Sequence, residues 1–400
     1  MLGAPASDGR WVFGAMKLVE FFCGTGGFSR GAHAAGFEIA AAYDVDPILT
    51  SSYKHNFPQT KLFLRDVAVL TGADVEADIG ESVFGVFGGP PCQGFSDIGR
   101  RDLNDPRRKL LVHFFRIIAE LDPVFFVMEN VRGLAYADAR PVLDEGLALV
   151  SGRYDILEPT VWDASEFGAA TKRNRMFVIG VRKDREAPLT RDDLEARKRP
   201  AATVRQALAD LDGIVELEED PALPGFDRWR ITRSGAATAY AAPLRSANRI
   251  VTGHRPTVHS TSVVARFRRV RPGKMDKVGR HPRLKLTGQC PTLRAGTGSE
   301  KGSYQSVRPI HPTLDRVITV REGARLQGFP DVHVFHPTVW HSFRMIGNSV
   351  SPIMAEAVFS AIRDRLGLTA SSDLEVDGGQ PSVVRKSDDE NLPIAEYLAG

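Results

Sequence analysis

Short apolar runs alternate along the first half of the chain with stretches whose apolar residues recur every three or four positions. The runs at 18–22, 39–43, 83–87 and 124–128 have the length and β-branched or aromatic character of buried strands. Between them, 29–35 and 107–121 carry helical spacing. In the second of these Leu110, Leu111, Phe114, Phe115 and Ile118 share one face, and Asp122-Pro123 ends it. Residues 154–162 and 176–181 read as two further strands. The alternation predicts an α/β fold with a doubly wound, mostly parallel sheet. Beyond residue 186 the pattern breaks into irregular pieces without repeats, which predicts a smaller second domain over 186–334. The larger domain is expected over 16–185 with 335–366. Residues 1–15 lack periodicity and read as a dispensable extension, and 367–400, polar and acidic, as a mobile tail.

Charge sharpens this division. The whole chain has 52 Lys and Arg against 49 Asp and Glu, a balance that names no partner. Residues 225–308, however, hold 14 Arg and 4 Lys against Asp227, Asp276 and Glu300, a local excess of fifteen positive charges. Such a block fits a polyanion, and equally the solvated surface of an Arg-rich chain. The three cysteines, Cys23, Cys92 and Cys290, form no CxxC pair, which argues against a disulfide framework or structural zinc. A reducing, cytoplasmic setting is the expectation. No apolar run of about 18 residues and no secretory leader pattern is present.

Four constellations carry chemistry. The first strand runs into Phe22-Cys23-Gly24-Thr25-Gly26-Gly27, a glycine-rich turn opening a helix, and Asp44 stands twenty residues after Gly24 at the end of the next strand. Glycines there let a ligand approach backbone, and a carboxylate at that place takes ribose hydroxyls, so a nucleoside cofactor or a simple tight turn both account for the pattern. Pro90-Pro91-Cys92-Gln93 follows the strand at 83–87, and Glu129-Asn130 ends the strand at 124–128. One βαβ unit joins these two strands, so Cys92 and Glu129 emerge at the same sheet edge, about 4.8 Å apart in strand spacing if the strands are neighbours. An acid following Val-Phe-Phe-Val-Met is partly desolvated, which raises its pKa and lets it hold a proton. A buried structural cysteine and a salt-bridging glutamate are the plainer readings. Arg173 and Arg175, two apart before the strand at 176–181, point to one side of an extended chain.

In this order the motifs resemble those of the cytosine-C5 DNA methyltransferases, from about Lys17 to Leu366. The resemblance implies a Rossmann-like fold that uses S-adenosyl-L-methionine, joined to a smaller, irregular target-recognition domain. It implies cofactor contacts from Phe22, Gly24, Gly26, Gly27, Asp44, Val45, Asp66, Pro91, Leu110, Asn348 and Ser349, with Gly347-Asn348-Ser349-Val350 as the closing motif. It implies Cys92 as nucleophile, Glu129 as acid and Arg173 and Arg175 as catalytic cations. Residues 321–330, Arg-Glu-Gly-Ala-Arg-Leu-Gln-Gly-Phe-Pro, resemble the motif that closes the recognition region. Two departures stand out: Ala170-Thr171 where the family carries Pro-Gln, and Asp44 where Glu is commoner. The implied partner is double-stranded DNA, met by Gln93, Ser96 and the basic residues Arg266, Arg268 and Arg269, with no metal and no membrane, by a monomer paired genetically with a restriction endonuclease.

Three alternatives compete. A zinc-dependent cytosine deaminase needs PCxxC and HxE, and none of the ten histidines is followed two positions later by Glu. A non-catalytic DNA-binding homologue is disfavoured by the presence of both Cys92 and Glu129. A tRNA cytosine methyltransferase of the same fold differs in its recognition segment, which physics alone does not assign to RNA or DNA.

Overall fold

The computed structural model describes residues 16–91, 108–136, 139–232, 237–296 and 308–368. Seven strands form the main sheet: β1 (Lys17–Phe21), β2 (Glu38–Asp44), β3 (Lys61–Leu64), β4 (Gly85–Gly88), β5 (Phe125–Asn130), β6 (Tyr154–Asp163) and β7 (Asn174–Arg182). Their order is β3-β2-β1-β4-β5-β7-β6. The first five are parallel, while β7 runs antiparallel between β5 and β6. Parallel neighbours need helical crossovers, and these are α1 (Gly27–Ala34), α2 (Tyr53–Asn56), α3 (Gly72–Ile79) and α4 (Lys109–Leu121), with α5 (Arg140–Ala148) leading to β6. The sheet is therefore mostly parallel, and β6–β7 is its antiparallel edge hairpin.

Strand alternation divides the core in two. Phe125 and Val127 of β5 face a layer containing Phe28 and Ala32 of α1, whereas Phe126 and Met128 face Leu111, Phe114 and Phe115 of α4 and Leu143 of α5. All six residues of β5 are buried, as a central strand covered on both faces requires. The first layer is completed from the far end of the chain by α11 (Pro352–Arg365), whose Val358, Phe359 and Ile362 pack beside α1.

The remaining elements are short: α6 (Arg191–Glu195), α7 (Val204–Leu208), a three-stranded antiparallel sheet of β8 (Ile214–Leu217), β9 (Arg228–Ile231) and β10 (Ile250–Val251), then α8 (Thr261–Arg268), α9 (Val320–Gln327) and α10 (Val339–Asn348). Their apolar core draws on both expected domains, for Ala170 and Phe343 share it with Leu208, Ile231 and Leu326. Leu189 and Leu194 conversely join the layer under α11. Residues 339–365 are apolar enough to pass for a membrane span, yet they form two helices and 78% of their most apolar window is buried inside the fold.

Candidate active site

The carboxyl edge of β1 and β2 is shaped by backbone geometry. Phe22 has φ +60°, a left-handed conformation that side chains resist, and Gly24 follows at φ +50°. The Gly24 N–H donates to Asp44 Oδ2 at 2.8 Å, and the N–H groups of Val45 and Asp46 donate to Oδ1 at 2.7 and 2.9 Å. Burial pushes the Asp44 carboxyl above its ordinary pKa, and these three donors pull it back. A Cβ on Gly24 would meet nothing within 4 Å, whereas one on Gly26 would strike Phe57 at 2.2 Å. Gly26 is thus required by packing, and Gly24 faces open space. One on Gly27 would sit 2.6 Å from the Val350 carbonyl and 2.8 Å from Ser349 Cβ. The missing side chain lets the segment of Asn348 and Ser349 reach the loop. Asn348 is exposed and Ser349 half-buried, with the Ser349 hydroxyl donating to the Met345 carbonyl.

Register carries the same edge outward. Asp44 lies opposite Leu64 of β3, and exposed Asp66 follows two residues later. Val45 is 61% and Leu64 44% exposed, an apolar surface beside a carboxylate. Beneath the loop, Glu20 is buried with Ser29 and Tyr53 on its carboxyl, and burial pushes its pKa up to about 8. Sequence reasoning passed over Glu20. Its signal was a single acid inside the strand Lys17–Phe21.

The second half of the site lies where β4 and β5 end side by side, with Gly88 opposite Met128. The Asn130 amide donates to the Pro90 carbonyl at 3.1 Å, fixing the Pro-Pro lead that runs toward Cys92. In the sequence Asn130 stands out only as the neighbour of Glu129; its pinning role depends on the adjacent strand. Pro91 is half-buried, as is Leu110 in the first turn of α4. Cys92, Gln93 and Ser96 lie outside the described residues.

Glu129 is 7% exposed. Its Oε1 forms an ion pair with Arg175 Nε, yet no hydrogen bond is aligned to that oxygen. Burial raises its pKa, and the cations of Arg175 and Arg173 oppose the rise without cancelling it. A Cβ on Gly89 would lie 3.0 Å from Glu129 Oε2, so glycine keeps that side of the carboxyl open.

Arg173 is a correction to the expected pair of catalytic cations. Its guanidinium is fully buried and donates to the carbonyls of Leu293 (3.2 Å) and Gly347 (2.7 Å). It ties its own segment to two distant ones, whereas Arg175 pairs with Glu129. Thr171, in place of the family's Gln, donates to the Cys290 carbonyl at 3.1 Å, and the Lys172 N–H donates to the same oxygen at 2.8 Å. Replacing Arg173 by Met is expected to cost about 2–4 kcal/mol of stability, because two buried carbonyls lose their donor. Urea denaturation of the two proteins measures this.

Two of the basic residues expected at DNA are also committed elsewhere. Arg266 forms an ion pair with Asp276 at 3.0 Å, whose side chain is 2% exposed, and a buried carboxylate needs that partner. Arg268, though 73% exposed, pairs with Asp315 at 2.9 Å. Arg269 is exposed at the end of α8. Among the described residues no group of His, Cys, Asp and Glu is placed to hold a metal.

Known proteins resemble this chain over most of its length. The family model described as C-5 cytosine-specific DNA methylase matches residues 16–364. The Type II methyltransferase M.XorII of Xanthomonas oryzae pv. oryzae is 39% identical over 368 residues, 87% of this chain and 84% of that protein. M.NgoPII of Neisseria gonorrhoeae is 30% identical, over 89% of this chain and 97% of its own. A crystal structure of a DNA modification methyltransferase encoded within an Escherichia coli prophage superposes with TM-score 0.75 at 36% identity, covering 88% of this chain and all of that one. The Dnmt2 methyltransferase of S. pombe shares the fold, with TM-score 0.60 at 19% identity over 88% of this chain and all of its own.

Proposed function

The chain belongs to the C-5 cytosine-specific DNA methylase family and is a DNA cytosine-5 methyltransferase, and on that premise we propose the donor, target and residue roles of its reaction. The donor is S-adenosyl-L-methionine, the target a cytosine flipped out of a specific duplex sequence, and the nucleophile Cys92. The protein acts in the cytoplasm as a monomer. A restriction endonuclease is its genetic counterpart, by analogy with the Type II relatives.

The residues at the β1–β2 edge fit such a donor. Asp44 is oriented by three N–H donors and keeps one acceptor site, on Oδ2, for a ribose hydroxyl. Val45 and Leu64 offer an apolar platform for a heteroaromatic base, Asp66 an acceptor for its amino group, and Gly24 the open space for close approach. Phe22, Gly26 and Gly27 shape the turn, and Asn348, Ser349, Pro91 and Leu110 complete the walls. When bound, the donor supplies an electrophilic methyl group on a sulfonium. Gly24→Ala tests this: alanine is strained at φ +50°, so the melting temperature should fall by a few degrees, while affinity for S-adenosylhomocysteine falls at least about tenfold, since a methyl group then also occupies the ligand's space. Calorimetric titration measures this.

The chain's own groups then account for the chemistry. Cytosine C5 is too electron-poor to accept a methyl group until a nucleophile adds at C6. The Cys92 thiolate forms that bond, and Glu129 gives a proton to N3 as ring electrons move toward it. Arg175 holds Glu129 in place and stabilises charge at O2. C5, now an enamine carbon, takes the methyl group and loses its proton to a base. Electrons returning to C5–C6 expel the Cys92 thiolate, and N3 returns its proton to Glu129. Arg173, committed to carbonyls, is a positioning residue.

The observation that carries this reading is the buried Glu129 carboxyl, held by Arg175 one strand away from the Pro90-Pro91 approach to Cys92. The test is methylation of duplex DNA with isotopically labelled S-adenosyl-L-methionine, followed by bisulfite sequencing. Label at C5 of cytosine in one sequence context is expected; transfer to tRNA and not to DNA would overturn the assignment of the substrate.

A further inference from the structure

From residues 271–283 we infer that one hairpin of the basic region is the finger that reads the duplex, with Lys277, Val278 and Arg280 as specificity-determining side chains. The inference rests on the DNA reading above and assigns its sequence preference to particular atoms.

The hairpin is built from its base outward. The Gly273 N–H donates to the Arg283 carbonyl at 2.9 Å, the Arg283 N–H to the Lys274 carbonyl at 2.8 Å, and the Asp276 N–H to the His281 carbonyl at 2.8 Å. Arg283 is buried and donates onward to the Phe267 carbonyl and Asp315, both at 2.7–2.8 Å. At the turn, Asp276 Oδ2 accepts the Gly279 N–H at 2.7 Å while Oδ1 meets Arg266 of α8. The single acid of the hairpin is thus buried and neutralised. Arg271, Lys274, Lys277 and Arg280 are all exposed and spaced three residues apart, and the hairpin's own sequence holds no acid besides Asp276.

Two further observations suit a groove. Met275 is 55% and Val278 73% exposed, apolar side chains set among cations, and such side chains read thymine methyl groups and base edges. Arg280 is held at φ +57°, a left-handed conformation that costs a non-glycine residue, and the anchored base maintains it. Arg266, expected from the sequence to touch DNA, instead rigidifies the finger that does.

The finger is also wired to the chemistry. Beyond Arg283 the chain turns once, the Gly288 N–H donating to the Lys285 carbonyl at 3.0 Å, with Leu284 N–H on the Ile310 carbonyl, Leu286 and Gly288 carbonyls accepting from Arg205 and Val204, and Cys290 N–H on the Ala170 carbonyl. It arrives beside Thr171 and Arg173. Ten residues from Arg280 to Cys290 reach at most roughly 33–36 Å, about one turn of B-DNA. The turn at 285–288 makes the actual span shorter than this limit.

Arg280→Gly is the informative variant, because glycine adopts φ +57° without strain and the loop keeps its shape. Wild type, Arg280→Gly and the Lys277→Ala/Val278→Ala pair each methylate a pool of duplexes with randomised base pairs, read by bisulfite sequencing. Affinity for a labelled duplex of about 30 base pairs is measured from roughly 50 to 200 mM salt. Base contacts predict that discrimination at one or more positions relaxes by roughly tenfold or more. Phosphate contacts predict a log–log salt slope shallower by about 0.9 for each phosphate no longer neutralised. Unchanged preference together with an unchanged slope overturns the finger. If the wild type methylates no duplex, the reaction assigned above fails on its own, and the slope still decides: shallower supports the finger, unchanged overturns it.

Discussion

Replacing Cys92 by serine is expected to lower methyl transfer by at least roughly 10⁴-fold while leaving duplex binding in place. The size follows from the mechanism: without addition at C6 there is no enamine, and a serine hydroxyl at neutral pH offers almost no alkoxide to replace the thiolate. Single-turnover transfer and filter binding separate the two effects. The wild type carries the complementary signature. On duplex DNA with 5-fluorocytosine at the target, the Cys92 bond should form and methyl transfer follow, after which fluorine cannot leave as a proton does, so the protein stays covalently attached through denaturing electrophoresis. Methylation of ordinary DNA by an enzyme that never forms this adduct would remove Cys92 from the reaction.

The parts of this site that were legible in the sequence are those set by local pattern. Val-Phe-Phe-Val-Met announced β5, whose six residues are buried, and the acid at its end had to lie at the sheet edge. The βαβ rule put the approach to Cys92 at the same edge, and the pairing of β4 with β5 makes it one strand away. By contrast, β3 spans four residues at the sheet edge with Lys61 and Leu64 exposed, too short and too mixed to show a period. The antiparallel insertion of β7 was equally hidden, since apolar runs do not state direction.

Charge was the least legible property. Arg173 and Arg175 share a spacing that predicts one orientation, but Leu293 and Gly347, 120 and 174 residues away, claim the first. Nothing near Arg173 in sequence reveals those carbonyls. The block of fifteen excess positive charges likewise pointed to DNA as a whole and not to particular residues. Arg325 of α9 shows why: fully buried, it pairs with Asp331 at 2.6 Å and Asp210 at 3.1 Å, so an acid from the stretch before the basic block secures an arginine beyond it. Removing either partner leaves a buried charge uncompensated, which is far costlier than losing a surface pair. Arginines in such a fold divide between braces and readers, and burial together with ion-pair partners tells them apart.

Glu129→Gln tests the remaining assignment through pH. Burial holds the Glu129 carboxyl above its ordinary pKa despite Arg175 and Arg173, so its protonated form persists to higher pH than that of an exposed glutamate. The wild type needs both forms at once. Thiolate increases with pH and carboxylic acid decreases, so the single-turnover rate should be bell-shaped. The amide keeps the shape of the side chain but has no acidic proton for N3, and the rate at neutral pH should fall by about 10²–10⁴-fold. What survives depends on the thiolate alone, so the alkaline limb should vanish and the rate should climb and then level. A purely structural role for Glu129 would lower the rate without altering the profile, and a variant that keeps the bell would return Glu129 to the status of a buried salt-bridge partner of Arg175.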